Sequence, residues 1–356
     1  MPFDFSHLFS GHHNNHDDGP HSAHKKKEYT FDHDVIGQGG YSQVMRAHWK
    51  ARDGMVVAMK VVRKEAVKDR EGYLKLIDCG FSRINTHPNI SDNKRLLDPF
   101  FLGAGLDWFE STHKFYIAFP LLTGGELLER LNRRGRFTED AVRKVMRVML
   151  NTLSFIHSHG IIHRDVKPDN FLYRTPESEV DDIVLIDFGI SKVLDNESED
   201  DPRDQYEVGG TPGYAAPEVF CGIGYGKNSD LFGAGVIGYN LLSSWSPWES
   251  RDTVALIQET SRTTVNFPTG PFEGVSEQAK SFVRHLMQPP SRRPSAKKAL
   301  QHVWLAEPVK PVEQDHILES HEIKQTSIQP LVPHPTIKPE HPIARQLTAQ
   351  PAELKL

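Results

Sequence analysis

IIHRDVKPDN, residues 161–170, decides how this chain reads. It follows AVRKVMRVMLNTLSFIHSHG, where Val142, Met146, Met149, Leu153 and Ile156 recur at helical spacing and Gly160 supplies the stop. The segment therefore leaves a buried helix and puts Asp165, Lys167 and Asn170 on one short loop. Soon afterwards VLIDFG (184–189) delivers Asp187 behind an apolar run. Phosphoryl transfer to a hydroxyl asks a protein for metal-holding oxygens, a proton acceptor and cations along the phosphates. Asp187 and Asn170 can hold Mg2+, Asp165 can accept or orient the proton, and Lys167 supplies positive charge. Any one of these residues has an ordinary structural use. Together and in this order they point to one chemistry.

Working back toward the N-terminus, VIGQGGYSQV (35–44) places Gly37 and Gly39 between two strand-like runs, with Ser42 where a third glycine might stand. Backbone without Cβ can approach phosphates closely, although a glycine-rich hairpin turn has the same composition. VAMK then puts Lys60 inside a β-branched strand, from which a lysine behind a glycine hairpin can reach phosphate oxygens. The apolar–Asp–Gly pattern also occurs twice. LIDCGFSRI (76–84) nearly repeats LIDFGISKV (185–193), but only the second copy has the neighbours that the chemistry needs. The first is not a second active site.

GQGGYS, VAMK, HRDVKPDN, DFG, GTPGYAAPE (210–218), an Asp230 helix and SRRPSAKKALQHVWL (291–305) occur in one order. In that order the chain resembles the eukaryotic protein kinase superfamily, across residues 29–305. LLTGGELLERL (121–131), GTPGYAAPE and ALQHVWL make it most similar to the calcium/calmodulin-dependent serine/threonine branch, and the Lys two places after Asp165 also favours serine/threonine specificity. The resemblance implies an α+β bilobal fold, with a strand-rich N-lobe over about 29–119 and a helical C-lobe over about 120–305. It implies ATP and Mg2+ as cofactors and protein substrates, with a basic residue upstream of the phosphoacceptor as an open preference because Asp169 replaces a common Glu. Nucleotide contacts would come from Ile36, Gly37, Gly39, Val44, Ala58, Lys60, Phe119 as gatekeeper, the backbones of Pro120 and Leu122, and Glu126 beside the ribose. Asp165, Lys167 and Lys60 would be catalytic, and Asn170 and Asp187 the metal ligands. Glu218 would pair with Arg293, and Phe232 stands where the family usually has Trp. Glu207, four residues before Thr211, falls where many relatives carry an activating phosphothreonine facing Arg164.

Composition sets the surroundings. With 356 residues and 38% hydrophobic content the chain can bury a large core or two lobes, and a net charge of −5 gives no overall case for nucleic acid. Two cysteines fit a reducing compartment, so the cytoplasm is expected, with the nucleus as the second option. MPFDFSHLFS does not read as a signal peptide, and the most apolar run, LFGAGVIGYNLL (231–242), is too short to span a bilayer. Residues 1–28 are rich in His, Asn and Asp and read as a disordered tail, with metal capture through His7, His12, His13, His16, His21 and His24 as a secondary reading. Residues 306–356 carry scattered prolines and read as a flexible tail; Lys310, Lys324, Lys338, Arg345 and Lys355 are spread without an aromatic anchor, so calmodulin binding through it is not expected.

One departure keeps an alternative open. The family carries a Glu on the helix before HPNI (87–90) to pair with the strand lysine, and counting back lands on Asp78. The connection after HPNI is also longer than usual. An Asp one methylene short leaves a second class of function, a pseudokinase scaffold that keeps the fold and nucleotide binding but transfers no phosphate.

Overall fold

A computed structural model describes residues 23–38, 42–82, 105–194, 207–221, 226–261, 265–306 and 336–337. Their described portions form two compact units, one from residues 1–70 and 105–121, the other from 71–104 and 122–356. The first is a five-stranded antiparallel sheet of β1 (Tyr29–Gln38), β2 (Ser42–Trp49), β3 (Met55–Arg63), β4 (Asp107–Glu110) and β5 (Lys114–Pro120), in the order β1-β2-β3-β5-β4. Strand alternation explains its two faces. Val57, Met59 and Val61 of β3 turn to a cluster with Ala47, Phe109, Tyr116 and Ala118. Tyr29, Phe109 and Tyr116 stack in sequence, at 5.6 and 4.7 Å between ring centroids. Ala58 and Lys60 point the other way.

Composition places residues 23–28 in a disordered tail. Instead, a short helix, α1 (Ala23–Lys27), precedes β1, and Lys25 Nζ donates to Asp107 Oδ1 at 2.6 Å. Tyr29 Oη donates to the other oxygen of the same carboxylate at 3.0 Å. That two-donor anchor orders a polar segment which could not have buried its own apolar surface. Of the six histidines considered for metal capture, all but His24 lie outside the described residues, and nothing is described of the His24 side chain.

The second unit is helical. α2 (Arg70–Ser82) groups with it after its first residue, because Leu76 packs against its core, whereas the sequence assigns this helix to the strand-rich lobe. α3 (Leu127–Arg134) and α4 (Glu139–Ser158) follow. Thr138 caps α4 by accepting from the Ala141 N–H, and Gly160 turns the chain out at φ 71°. The expected stripe of Val142, Met146, Met149, Leu153 and Ile156 is fully buried. Two short two-stranded sheets come next, from β6 (Ile161–Ile162), β7 (Phe171–Tyr173), β8 (Ile183–Leu185) and β9 (Lys192–Val193), pairing β6 with β9 and β7 with β8. α5 (Pro217–Cys221), α6 (Ser229–Ser243), α7 (Thr253–Ser261), α8 (Glu277–Leu286), α9 (Ala296–Ala299) and α10 (Val303–Ala306) complete the unit.

Every residue of α6 is buried, which its all-round apolar sequence foretold. A Cβ added to Gly233 on α6 would meet Val166 O at 2.5 Å, so glycine lets this helix press directly on the loop at 163–170. Among the described residues no helix is long and apolar enough to cross a membrane.

Candidate active site

The loop that follows β6 is shaped from beneath by a buried carboxylate. Asp230, at the start of α6, accepts from the His163 N–H at 2.9 Å and the Arg164 N–H at 2.8 Å, and His157 Nε2 donates to it at 2.8 Å. Burial on its own would raise the Asp230 pKa. The His157 hydrogen bond, the charges of His157 and His163 and the His163 N–H more than offset it and hold the carboxyl below its ordinary value. Arg164 stands at φ 70°, a region unfavourable to side chains with Cβ, and the bond to Asp230 is what fixes it there. The next residue is therefore aimed rather than free to swing.

That residue is Asp165, buried at 6% exposure. Asn170 Nδ2 donates to its backbone oxygen at 2.7 Å and to Oδ2 at 3.2 Å. Lys167 Nζ lies 3.2 Å from Oδ2, and Thr211 Oγ1 donates to Oδ1 at 2.6 Å. Lys167 also donates to Thr211 Oγ1 at 3.0 Å. Asp165, Lys167 and Asn170 thus converge as their spacing suggested. Thr211 belongs with them, although in the sequence it marks no more than a position relative to Glu207. Its signal was its place in GTPGYAAPE.

Asp187 follows β8 and is held beside this cluster by the adjoining residue, since the Ile186 N–H donates to Asn170 O at 2.9 Å. It adopts φ 60° and accepts from the Gly189 N–H at 3.1 Å through Oδ1. Phe188 meets the His163 ring edge-on at 4.8 Å, tying the segment back to the loop. Because Asn170 Nδ2 is engaged with Asp165, its Oδ1 is left as the acceptor of the amide. An amide oxygen and a carboxylate are the hard oxygen donors that suit Mg2+.

Beyond the loop, Arg164 Nη1 contacts Glu207 Oε2 at 3.3 Å and Nη2 donates to Glu207 O at 2.9 Å. The carboxylate is therefore where a facing phosphate was expected. Arg293 and Glu218 form a fork-to-fork pair at 2.5 and 3.1 Å, with side chains 0% and 1% exposed. Phe232 fills the usual Trp position fully buried, parallel to Trp248 at 6.3 Å and under the Arg293 guanidinium. Glu126, just before α3, has its pKa raised by burial first, then by Asp169 and Glu129, with Lys167 opposing. Three carboxylates crowded in this way favour a cationic neighbour.

In the sheet unit, cross-strand partners line up Gly37, Val44, Lys60 and Ile117 in one row and Ala58 with Phe119 in another. Directly paired residues share a face, so Val44, Ala58, Lys60 and Phe119 present one surface opposite the apolar cluster. Pro120 pairs with Val57 and so faces the other way, leaving its backbone for any contact on the first surface. Ile36 on β1 is exposed. Leu122 begins the stretch leading to α3. Gly39 lies outside the described residues, as do the Asp78 side chain and the long connection after HPNI.

The fold and this loop are those of a protein kinase, and the chain belongs to the protein kinase domain family, whose model matches residues 31–305. Among known proteins it is 37% identical to a calcium/calmodulin-dependent protein kinase of Metarhizium anisopliae over 292 residues, 81% of this chain and 70% of that one. It is 35% identical to calcium/calmodulin-dependent protein kinase type 1B of Rattus norvegicus over 272 residues, 76% of this chain and 73% of that one. The Homo sapiens type 1B protein is 34% identical over the same shares.

Proposed function

We propose that this protein is a serine/threonine kinase that transfers the γ-phosphoryl group of Mg·ATP to hydroxyls of protein substrates. The observation that carries the proposal is the buried Asp165 carboxylate, bracketed by Lys167 Nζ at 3.2 Å and by Thr211 Oγ1 at 2.6 Å. A hydroxyl brought to Asp165 finds an acceptor for its proton and, in Lys167, a cation for the charge that develops on its oxygen and on the phosphoryl group. Asn170 and Asp187 would hold Mg2+, which when bound neutralises phosphate charge and aligns the leaving oxygen. The resemblance gives Lys60 the task of orienting the phosphates, and Ile36, Gly37, Gly39, Val44, Ala58, Phe119, Pro120, Leu122 and Glu126 that of seating the nucleotide.

Similarity to the calcium/calmodulin-dependent branch supports serine/threonine specificity. The crowded pair of Glu126 and Asp169 supports a basic residue upstream of the acceptor. Residues 306–356 lack the basic amphipathic pattern of a calmodulin target, so we expect no calcium-dependent calmodulin binding through them. Lys60→Met, Asp165→Asn and Asp187→Ala should each abolish phosphorylation of a basic serine peptide in a folded protein. Near-normal turnover in Asp187→Ala would overturn the metal assignment. Full retention in all three would overturn the assignment of these catalytic residues, and absence of phosphorylation by the wild type would overturn the kinase reading in favour of a scaffold.

A further inference from the structure

One part of the far C-terminal segment lies where the chemistry would happen. Thr336 Oγ1 donates to Asp165 Oδ2 at 2.9 Å and accepts from Lys167 Nζ at 2.7 Å. It also stands 3.0 Å from Thr211 Oγ1. We infer that Thr336 is a phosphoacceptor for the chain's own active site, modified within the same molecule. The inference rests on the kinase reading and names a substrate for it.

Two further contacts set this hydroxyl in register. Gly210 and Ile337 form an antiparallel bridge, with Gly210 N donating to Ile337 O at 2.8 Å and Ile337 N to Gly210 O at 2.7 Å. The tail thus adds a strand-like step to the segment before Thr211, a mode in which main-chain bonds hold and side-chain pockets select. Gly210 stands at φ 115°, and a Cβ there would meet Arg164 O at 2.8 Å, so this backbone edge can exist only with glycine. The selecting pocket takes Ile337, 3% exposed, among Val208, Ala215, Phe220, Cys221 and Ile257. Alternation along an extended segment then turns the preceding side chain, Thr336, toward Asp165. PHPTIKPE carries no Lys or Arg immediately upstream of Thr336. Tethering substitutes for that recognition by raising the effective concentration of the acceptor.

The step balances with ATP as the only co-reactant. Thr336 Oγ1 forms a bond to the γ-phosphorus, and the bond from that phosphorus to the bridging oxygen breaks. ADP departs with the electron pair, and the hydroxyl proton passes to Asp165 Oδ2 and on to solvent. The product carries nearly two negative charges next to the Asp165 carboxylate. Like-charge repulsion then favours departure of the modified segment, which leaves the loop open to other hydroxyls.

The test uses the full chain with Mg·ATP, phosphosite mapping by mass spectrometry, and a basic serine peptide as a parallel substrate. Phosphate should appear on Thr336 at a rate per molecule that dilution does not change. Thr336→Val should lose that phosphate while still phosphorylating the peptide, which also reports that the variant is folded. Ile337→Asp, by placing a charge in the apolar pocket, should lose most of the Thr336 phosphate and likewise retain peptide activity. Peptide phosphorylation with Thr336 unmodified would overturn the inference, as would modification whose rate scales with protein concentration. Absence of label on both peptide and Thr336 would overturn the kinase reading and this inference with it.

Discussion

Replacing Asp230 with Asn tests how the catalytic loop is held. The carboxylate takes three buried donors, two from the backbone at His163 and Arg164 and one from His157. Asn keeps the size but offers one acceptor oxygen. In either amide orientation at least one of the two backbone N–H groups then faces an NH2. An orphaned buried donor costs about 1–3 kcal/mol, and hydrogen bonds to a charged acceptor contribute about 1.5–3 kcal/mol, more than those to a neutral one. Asp230→Asn should therefore lose about 2–4 kcal/mol, seen in urea unfolding as a lower midpoint with an unchanged slope. Arg164 loses what holds it at φ 70°, and Asp165 moves with it. A displacement near 1 Å costs on the order of 100-fold in rate, so kcat should fall by about 10- to 100-fold with a smaller change in KM. The pH dependence follows from the depressed Asp230 pKa. A carboxyl held below its unfolded value stabilises the fold above the ordinary carboxylate range, and that stability is lost as pH falls through the folded value. The stability gap between wild type and Asp230→Asn should therefore shrink in acid. A variant within about 0.5 kcal/mol of wild type, with full activity, would refute the reasoning.

Three other perturbations follow. Glu218→Gln leaves the fully buried Arg293 guanidinium without its counter-charge, and urea unfolding should show a loss of about 3–5 kcal/mol. Glu207→Gln keeps the backbone bond to Arg164 and removes only a half-exposed carboxylate, so peptide phosphorylation should fall by no more than about fivefold and salt should narrow the difference; no change at all would mark Glu207 as part of a solvated acidic loop. Glu126→Gln should raise KM for a peptide with an upstream arginine by about 5- to 10-fold while moving kcat less, and equal KM values would remove Glu126 from substrate recognition.

How much of this was legible in the sequence depends on how local each feature is. Asp165, Lys167 and Asn170 lie on one loop, so their convergence needed only a helix stop at Gly160 and a short turn. Lys60 and Ala58 share a face with Val44 and Phe119 because strand alternation is a period of two residues, readable along β3. Thr211 was written in the sequence but not its role, since its bond to Asp165 spans a long chain separation. Thr336 and Ile337 gave no signal of their own. A proline-containing tail with few apolar residues reads as unable to bury surface, yet its described residues bury Ile337, using a bridge supplied by Gly210. The same limit applies at Lys25, where an anchor on Asp107 orders residues that composition leaves loose. α2 was legible as a helix and not as part of the helical unit, because Leu76 could serve either core.

In the proposed function the buried Asp165 carboxylate, braced by Lys167 and Thr211, accepts the proton of a serine or threonine hydroxyl during phosphoryl transfer. The most direct measurement is the single-turnover rate of phosphorylation of a basic serine peptide by full-length wild type and by Asp165→Asn, with saturating Mg·ATP. Asn keeps the size, but its single amide oxygen can accept from Lys167 or from Thr211 and not from both, and it cannot take the proton; general-base loss is worth about 100- to 10,000-fold. The expected result is a loss in that range with nucleotide affinity retained. A rate for Asp165→Asn within a few fold of wild type would contradict it.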